Sequence, residues 1–221
     1  MAQLSKEDVE AGQAIYTPKT LAVYDLLVHG LSNHVVWRCP TRRLQALYDR
    51  NVSARHLDVG VGTGYFLDKV RWPVKRPTIT LLDLNEHSLK AAADRIERFG
   101  PNLIQANVLE PLHDIGRFDS VGLCYLLHCL PGTLKEKMVV FDNLRPAING
   151  GAIVFGATIL QGDAPRSWIA QKLMDRYNQD GVFSNTADKY QDLESGLVAR
   201  FEDVHIERHG VVALFRARAA H

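Results

Sequence analysis

Two acids and three glycines carry the strongest chemical signal in this chain. His56-Leu57-Asp58-Val59-Gly60-Val61-Gly62-Thr63-Gly64 runs from a polar-to-apolar stretch into an acid and then into glycines at every second position. Tyr65 to Val70 reads as the first turns of a helix. A strand, a glycine turn and a helix in that order make a site for a nucleotide-like ligand. Glycines adopt positive φ and let a ligand approach bare backbone. The helix N-terminus would add free N–H groups and a partial positive charge. The second acid, Asp83, ends the strand-like run Thr78-Ile79-Thr80-Leu81-Leu82-Asp83, 19 residues after Gly64. In doubly wound nucleotide folds an acid near this distance accepts hydrogen bonds from ribose hydroxyls. A carboxylate suits that task because it only accepts. The same acid could instead cap a helix starting near Glu86, with Asn85 and Ser88 as rival caps.

The glycine spacing decides which ligand. A dinucleotide fingerprint G-x-G-x-x-G starting at Gly60 needs glycine at position 65, where Tyr65 stands. The pattern D-x-G-x-G-x-G from Asp58 to Gly64 resembles motif I of the class I S-adenosylmethionine-dependent methyltransferases. That resemblance implies S-adenosylmethionine as cofactor and S-adenosylhomocysteine as product, with the loop cradling the methionine portion. Gln105-Ala106-Asn107-Val108 resembles the end of the family's third strand, which usually carries an acid for the adenine amino group. Here an amide stands instead, whose carbonyl can still accept from that amine. Phe118-Asp119-Ser120 through Tyr125 resembles the fourth strand. Leu144-Arg145-Pro146 with Asn149-Gly150-Gly151 resembles the turn before the fifth, with Ala147 and Ile148 inserted. Matched position by position, the resemblance implies cofactor contacts from Asp58, Gly60, Gly62, Gly64, Asp83, Leu84, Asn107, Val108 and Tyr125. Arg38, by its guanidinium, could pair with the cofactor carboxylate.

The elements that must position these residues follow from periodicity. Thr17-Pro18 reads as a cap with proline at the first helical position. Leu21, Tyr24, Val28, Leu31 and Val35 then recur at helical spacing. Pro40 interrupts, and Thr41 to Tyr48 form another helix. From Arg55, strands at 55–59, 78–83, 103–106, 120–125 and 151–157 alternate with helices at 64–71, 87–98 and 133–144. Such alternation implies one parallel sheet in an α/β domain. Two more strand-like runs, 201–208 and 211–216, meet at His209-Gly210 and read as a closing hairpin. The resemblance implies a Rossmann-like methyltransferase fold: seven strands, mostly parallel, an antiparallel C-terminal strand and helices on both faces. Within a single domain spanning 1–221, residues 1–50 would form a helical cap, 51–160 the cofactor-binding core, 161–195 a substrate lid and 196–221 the closing strands. Ile169, Leu173 and Tyr177 make the helical stripe of that lid.

Composition narrows the partners. The chain has 221 residues, 46% hydrophobic and 23% charged, with a formal net charge of +1. That is enough for one domain with a real core. No basic excess points to nucleic acid, and no apolar run reaches membrane-spanning length. The polar N-terminus does not read as a signal peptide. Three cysteines, Cys39, Cys124 and Cys129, form no disulfide framework. A cytoplasmic location is expected.

The chemistry the resemblance implies is in-line displacement at a sulfonium methyl, with the acceptor held behind it in a near-attack geometry. His128, just past the fourth strand, is the candidate general base, since its ordinary pKa suits proton transfer near neutral pH. Packing against the next helix is its bland alternative. Tyr16, Tyr24, Trp37 and Trp168 are candidate substrate contacts, because aromatics stack on planar acceptors or surround a sulfonium. Cys124 and His128 would share a face only on a helix, so no metal site is expected. Tyr65-x-x-x-Lys69 matches a short-chain reductase pair but sits far too early in the chain. The expected activity is methylation of a small organic acceptor, at oxygen before nitrogen or sulfur, in secondary metabolism. A protein substrate, or a cofactor-binding scaffold or sensor without turnover, stays open.

Overall fold

The computed structural model describes residues 36–164 and 166–221. Tyr16, Tyr24 and the helix expected after Thr17 lie outside the described residues. The described chain opens with helix α1 (Thr41–Asn51), which follows Pro40 and buries Leu44, Tyr48 and Asn51 at helical spacing. It then alternates as expected: β1 (Arg55–Val59), α2 (Tyr65–Lys69), β2 (Thr78–Asp83), α3 (Glu86–Arg95), β3 (Asn102–Gln105) and β4 (Phe118–Cys124). Two short helices follow, α4 (Leu134–Lys137) and α5 (Val139–Leu144), then β5 (Ile148–Ile159), α6 (Trp168–Gln179), α7 (Tyr190–Val198), β6 (Glu202–His209) and β7 (Val212–Arg218).

The seven strands form one sheet in the order β3-β2-β1-β4-β5-β7-β6. β1 to β5 pair in parallel, and β7 runs antiparallel to both β5 and β6. The inner strands are buried on both sides, as parallel pairing requires: Ile79 to Leu82 and Ser120 to Cys124 are buried without a break. Only the edge strands β3 and β6 are largely exposed. All the parallel strands present their carboxyl ends to one edge of the sheet, where ligands bind in folds of this kind.

Several elements differ from the sequence reading, each for a local reason. α2 is five residues long, because Val70 turns extended and Pro73 disfavours helix just before it. So short a helix sums few peptide dipoles, and its N-terminus offers little of the positive end expected there. The stretch expected as a single helix over 133–144 turns at Met138, next to the inward-facing Lys137. α6 buries Ala170 and Met174, one residue off the expected stripe, and leaves Ile169 exposed. Asn85 caps α3, its side chain accepting from the N–H groups of His87 and Ser88. Asp83 is therefore free of that duty.

A polar assembly fastens the segment after α6 to the sheet. Lys137 is fully buried, its Nζ 2.7 Å from Asp188 Oδ2 and 2.5 Å from the Ser184 carbonyl. Asn178 donates to Asn185 Oδ1, and Asn185 donates in turn to the Ile159 carbonyl at the end of β5. Breaking a buried ion pair strands a charge. Lys137→Met should therefore lower stability by about 3–5 kcal/mol, read as a fall in the urea midpoint. Lys137→Met combined with Asp188→Leu should recover most of that loss, because no unpaired charge remains.

Candidate active site

A crevice of about 1110 Å³, counted out to its open mouth, lies at the carboxyl ends of β1, β2 and β4. Its first wall is the glycine turn. Gly60, Gly62 and Gly64 all adopt left-handed φ, at 72°, 52° and 70°. A Cβ on Gly64 would sit 3.0 Å from the Ala92 backbone of α3, while one on Gly62 would meet nothing within 4 Å. The first glycine contact packs two helices together, and the second keeps a cradle open.

Asp83 ties that turn to β2. Its Oδ2 accepts from the Val61 N–H at 2.9 Å, and its Oδ1 accepts from the Asn85 N–H at 2.9 Å. Burial nevertheless outweighs these bonds and pushes the carboxyl up to about 6. Asp58 lies on the crevice floor, 2% exposed. Tyr48 Oη donates to it at 2.9 Å, and His56 Nε2 lies 3.3 Å from the same oxygen. On its other side, His56 Nδ1 bonds Ser120 Oγ at 2.8 Å. Burial, with Asp58 alongside, holds the Tyr48 hydroxyl well above its ordinary range, so it stays a donor.

The far wall comes from the segment after β4. Tyr125 adopts φ 61°, a costly backbone for a residue with a side chain, and its N–H reaches the Ala157 carbonyl at 2.7 Å. Leu126, Cys129, Leu130 and Pro131 complete that wall, and Leu84, Asn107 and Val108 line the end near β3. Asn107 Oδ1 already accepts from the Leu109 N–H, and its Nδ2 donates to Glu110.

The sequence-predicted residues separate into two groups. Asp58, the three glycines, Asp83, Leu84, Asn107, Val108 and Tyr125 all meet in the crevice. The others stand elsewhere. Arg38 is exposed beside Gly210, outside the crevice lining, so an Arg38 contact with the cofactor carboxylate has no support in the fold. Trp168 is 70% exposed at the start of α6, also outside it. Trp37 is core, with its ring 6.1 Å from Phe183 and its carbonyl accepting from the Val211 N–H.

His128 is also buried, in a short turn between Tyr125 and Phe183. Its Nδ1 accepts from the Ile159 N–H at 3.3 Å, and burial, with Lys137 nearby, lowers its pKa to about 3. A ring with one nitrogen occupied and so little basicity is poorly suited to the general-base part expected of it.

Sequence reasoning missed Tyr48, His56, Cys129 and the Leu126–Pro131 wall. His56 had a legible signal: two residues before Asp58 on a strand puts both on one face. Tyr48 had none, since only the packing of α1 on the sheet brings it to Asp58. Among the described residues no group of three or more His, Cys, Asp or Glu side chains could hold a metal ion, and no helix is long and apolar enough to cross a membrane.

Comparison with known proteins agrees with this architecture. The family described as methyltransferase domain matches residues 57–154. Demethylluteothin O-methyltransferase of Streptomyces thioluteus is 40% identical over 215 residues, covering 97% of this chain and 94% of the relative. Methyltransferase ctvB of Aspergillus terreus is 37% identical over 222 residues, covering 96% and 95%. The N-methyltransferase NodS from Bradyrhizobium japonicum WM9, solved with S-adenosylhomocysteine, shares the fold. Its TM-score is 0.62 at 14% identity, over 93% of this chain and 100% of that one. With the open cradle of the glycine turn and an acceptor-only acid at its rim, these likenesses establish that the chain belongs to the class I S-adenosylmethionine-dependent methyltransferases.

Proposed function

We propose that this enzyme methylates an oxygen atom of a small organic acceptor in the synthesis of a secondary metabolite. One observation carries the reading: the cofactor crevice is closed at its far wall by Tyr125, Leu126 and Leu130, backed by the rings of Trp37, His128, Tyr177 and Phe183. A mostly apolar, aromatic wall suits a small planar molecule, with few polar groups to fix its orientation. The name of the Streptomyces relative, an O-methyltransferase, supports oxygen as the acceptor atom. Three free thiols, Cys39, Cys124 and Cys129, fit a reducing, cytoplasmic setting. Residues 1–50 serve as the cap and 161–195 as the lid of a single methyltransferase domain.

The chain's own residues divide the binding task. The bound cofactor supplies an activated methyl on a sulfonium. The glycine turn receives its methionine portion. Asp83, which accepts from the N–H groups of Val61 and Asn85 at the rim of the crevice, meets the ribose hydroxyls as an acceptor. Leu84, Asn107 and Val108 border the adenine, the Asn107 carbonyl keeping one lone pair for the amino group. Asp58, held by Tyr48 and His56, forms the negatively charged floor. Tyr125 and the wall behind it keep water from the transfer and hold the acceptor in line.

Two outcomes follow. Calorimetric titration should show binding of S-adenosylmethionine and S-adenosylhomocysteine and none of NADPH. Mass spectrometry of turnover with phenols, carboxylic acids, amines and thiols should find the methyl on oxygen, and methylation of amines or thiols alone would overturn the reading.

Asp83→Ala should weaken binding of S-adenosylhomocysteine by roughly 1.5–3 kcal/mol. Wild-type affinity should be full above pH 6 and fall as the pH drops through about 6, where Asp83 takes up a proton. The same raised pKa acts on folding with opposite sign. It favours the folded, ligand-free chain below 3.8, a contribution lost as the pH rises from there to about 6. Affinity for S-adenosylhomocysteine that is flat between pH 5 and 8 would remove Asp83 from the ribose.

A further inference from the structure

Asp58 is almost wholly buried, and only one of its two carboxylate oxygens has protein partners. Its side chain keeps 4% of its surface, and the residue lines the crevice. Oδ2 takes both neighbours, the Tyr48 hydroxyl at 2.9 Å and His56 Nε2 at 3.3 Å. Oδ1 makes no hydrogen bond among the described residues, yet it is not one of the polar atoms sealed in the core without a partner. The surface it keeps is crevice surface. Among the described residues lining the crevice there is no Lys, Arg or His. A carboxylate in such a place needs a cation or a donor that arrives with the ligand.

Two side chains decide where that oxygen points. Tyr48 comes from α1 and His56 from β1. The Cys124 thiol also stands beside the Tyr48 hydroxyl, but burial holds the thiol well above its ordinary range. It stays protonated, a weak acceptor, and the Tyr48 proton goes to Asp58. A bare Nε2 on His56 would face the carboxylate lone pair to lone pair, so that nitrogen carries a proton. The far side of the ring is fixed by Ser120, whose Oγ also accepts from the Ser53 N–H at 2.8 Å. Gly122 on β4 leaves room for the pair: a Cβ there would stand 3.0 Å from Asp58 Oδ2 and 3.3 Å from His56 Cε1.

We propose that Tyr48 and His56 are positioning residues for the cofactor. By holding Oδ2 from two sides they turn Oδ1 into the crevice, where it pairs with the ammonium of the cofactor's methionine portion. This rests on the reading above that the glycine turn receives that portion. The torsion of the carboxylate is set before the ligand arrives, so no binding energy is lost in ordering it.

Calorimetry with two ligands tests this. S-adenosylhomocysteine carries the ammonium, whereas 5′-methylthioadenosine keeps adenine, ribose and sulfur and lacks the amino-acid end. Tyr48→Phe removes only a hydroxyl. It should weaken S-adenosylhomocysteine about fivefold, the worth of one net hydrogen bond, and leave 5′-methylthioadenosine within about twofold of wild type. His56→Leu should act in the same direction, and His56→Gln, whose amide can still donate, should regain most of the loss. Asp58→Asn should cost more than any of these, again on S-adenosylhomocysteine alone. A crevice that is merely distorted weakens both ligands alike, so an equal loss in Tyr48→Phe overturns the proposal. If Asp58→Asn shifts the ratio of the two affinities and Tyr48→Phe does not, Asp58 meets the ammonium unaided and the positioning role is overturned. If Asp58→Asn leaves that ratio unchanged, the methionine end lies elsewhere, and the reading beneath the proposal falls with it.

Discussion

The site depends on one carboxylate collecting backbone N–H groups. A turn of three left-handed glycines has little intrinsic preference for any one shape, because glycine loses more freedom on folding than any other residue. Asp83 supplies the missing constraint by accepting from Val61 in the turn and from Asn85 at the start of α3. The turn is thereby pinned to the end of β2, and α3 is aimed so that Ala92 packs against Gly64. The cost is a charge held in a poorly solvated place, visible in the raised pKa of the acid.

A second buried acid, Asp58, is handled differently. It is satisfied by side chains, Tyr48 from α1 and His56 from its own strand, and the chain of bonds continues through Ser120 to Ser53. The floor of the crevice therefore couples α1, β1 and β4 through polar contacts in an otherwise apolar core. Such networks rigidify a site when every member is satisfied.

Much of this was legible in the chain. Each strand was placed within a few residues, because buried parallel strands announce themselves as apolar runs between turn signals. The closing hairpin was legible from Gly210, and the residues of the glycine turn and Asp83 that meet in the crevice from the glycine spacing and the distance between them. What escaped was set by tertiary packing. Nothing in the local sequence says that α6 rotates its buried face onto Ala170 and Met174, or that Trp168 turns to solvent. The histidine after β4 looked catalytic because its ordinary pKa suited a base, but burial and a backbone donor decide its protonation. Arg38 was matched to a carboxylate by type alone, and the turn at Gly210 holds it elsewhere.

The Lys137–Asp188 pair bears on how such an enzyme diversifies. The segment carrying Phe183 is held by charge and by backbone carbonyls, at Lys137, Asp188 and Asn185, rather than by the shape of Phe183 itself. The anchor of this segment and the crevice wall after β4 are thus separate parts of the structure. Exchanges at Leu126 and Leu130, which line the crevice, or at Phe183 behind His128, would leave the anchor and the glycine turn intact. On this plan the contour of the crevice can change by a few apolar substitutions without disturbing the buried ion pair or the glycine turn on which the fold of the site rests.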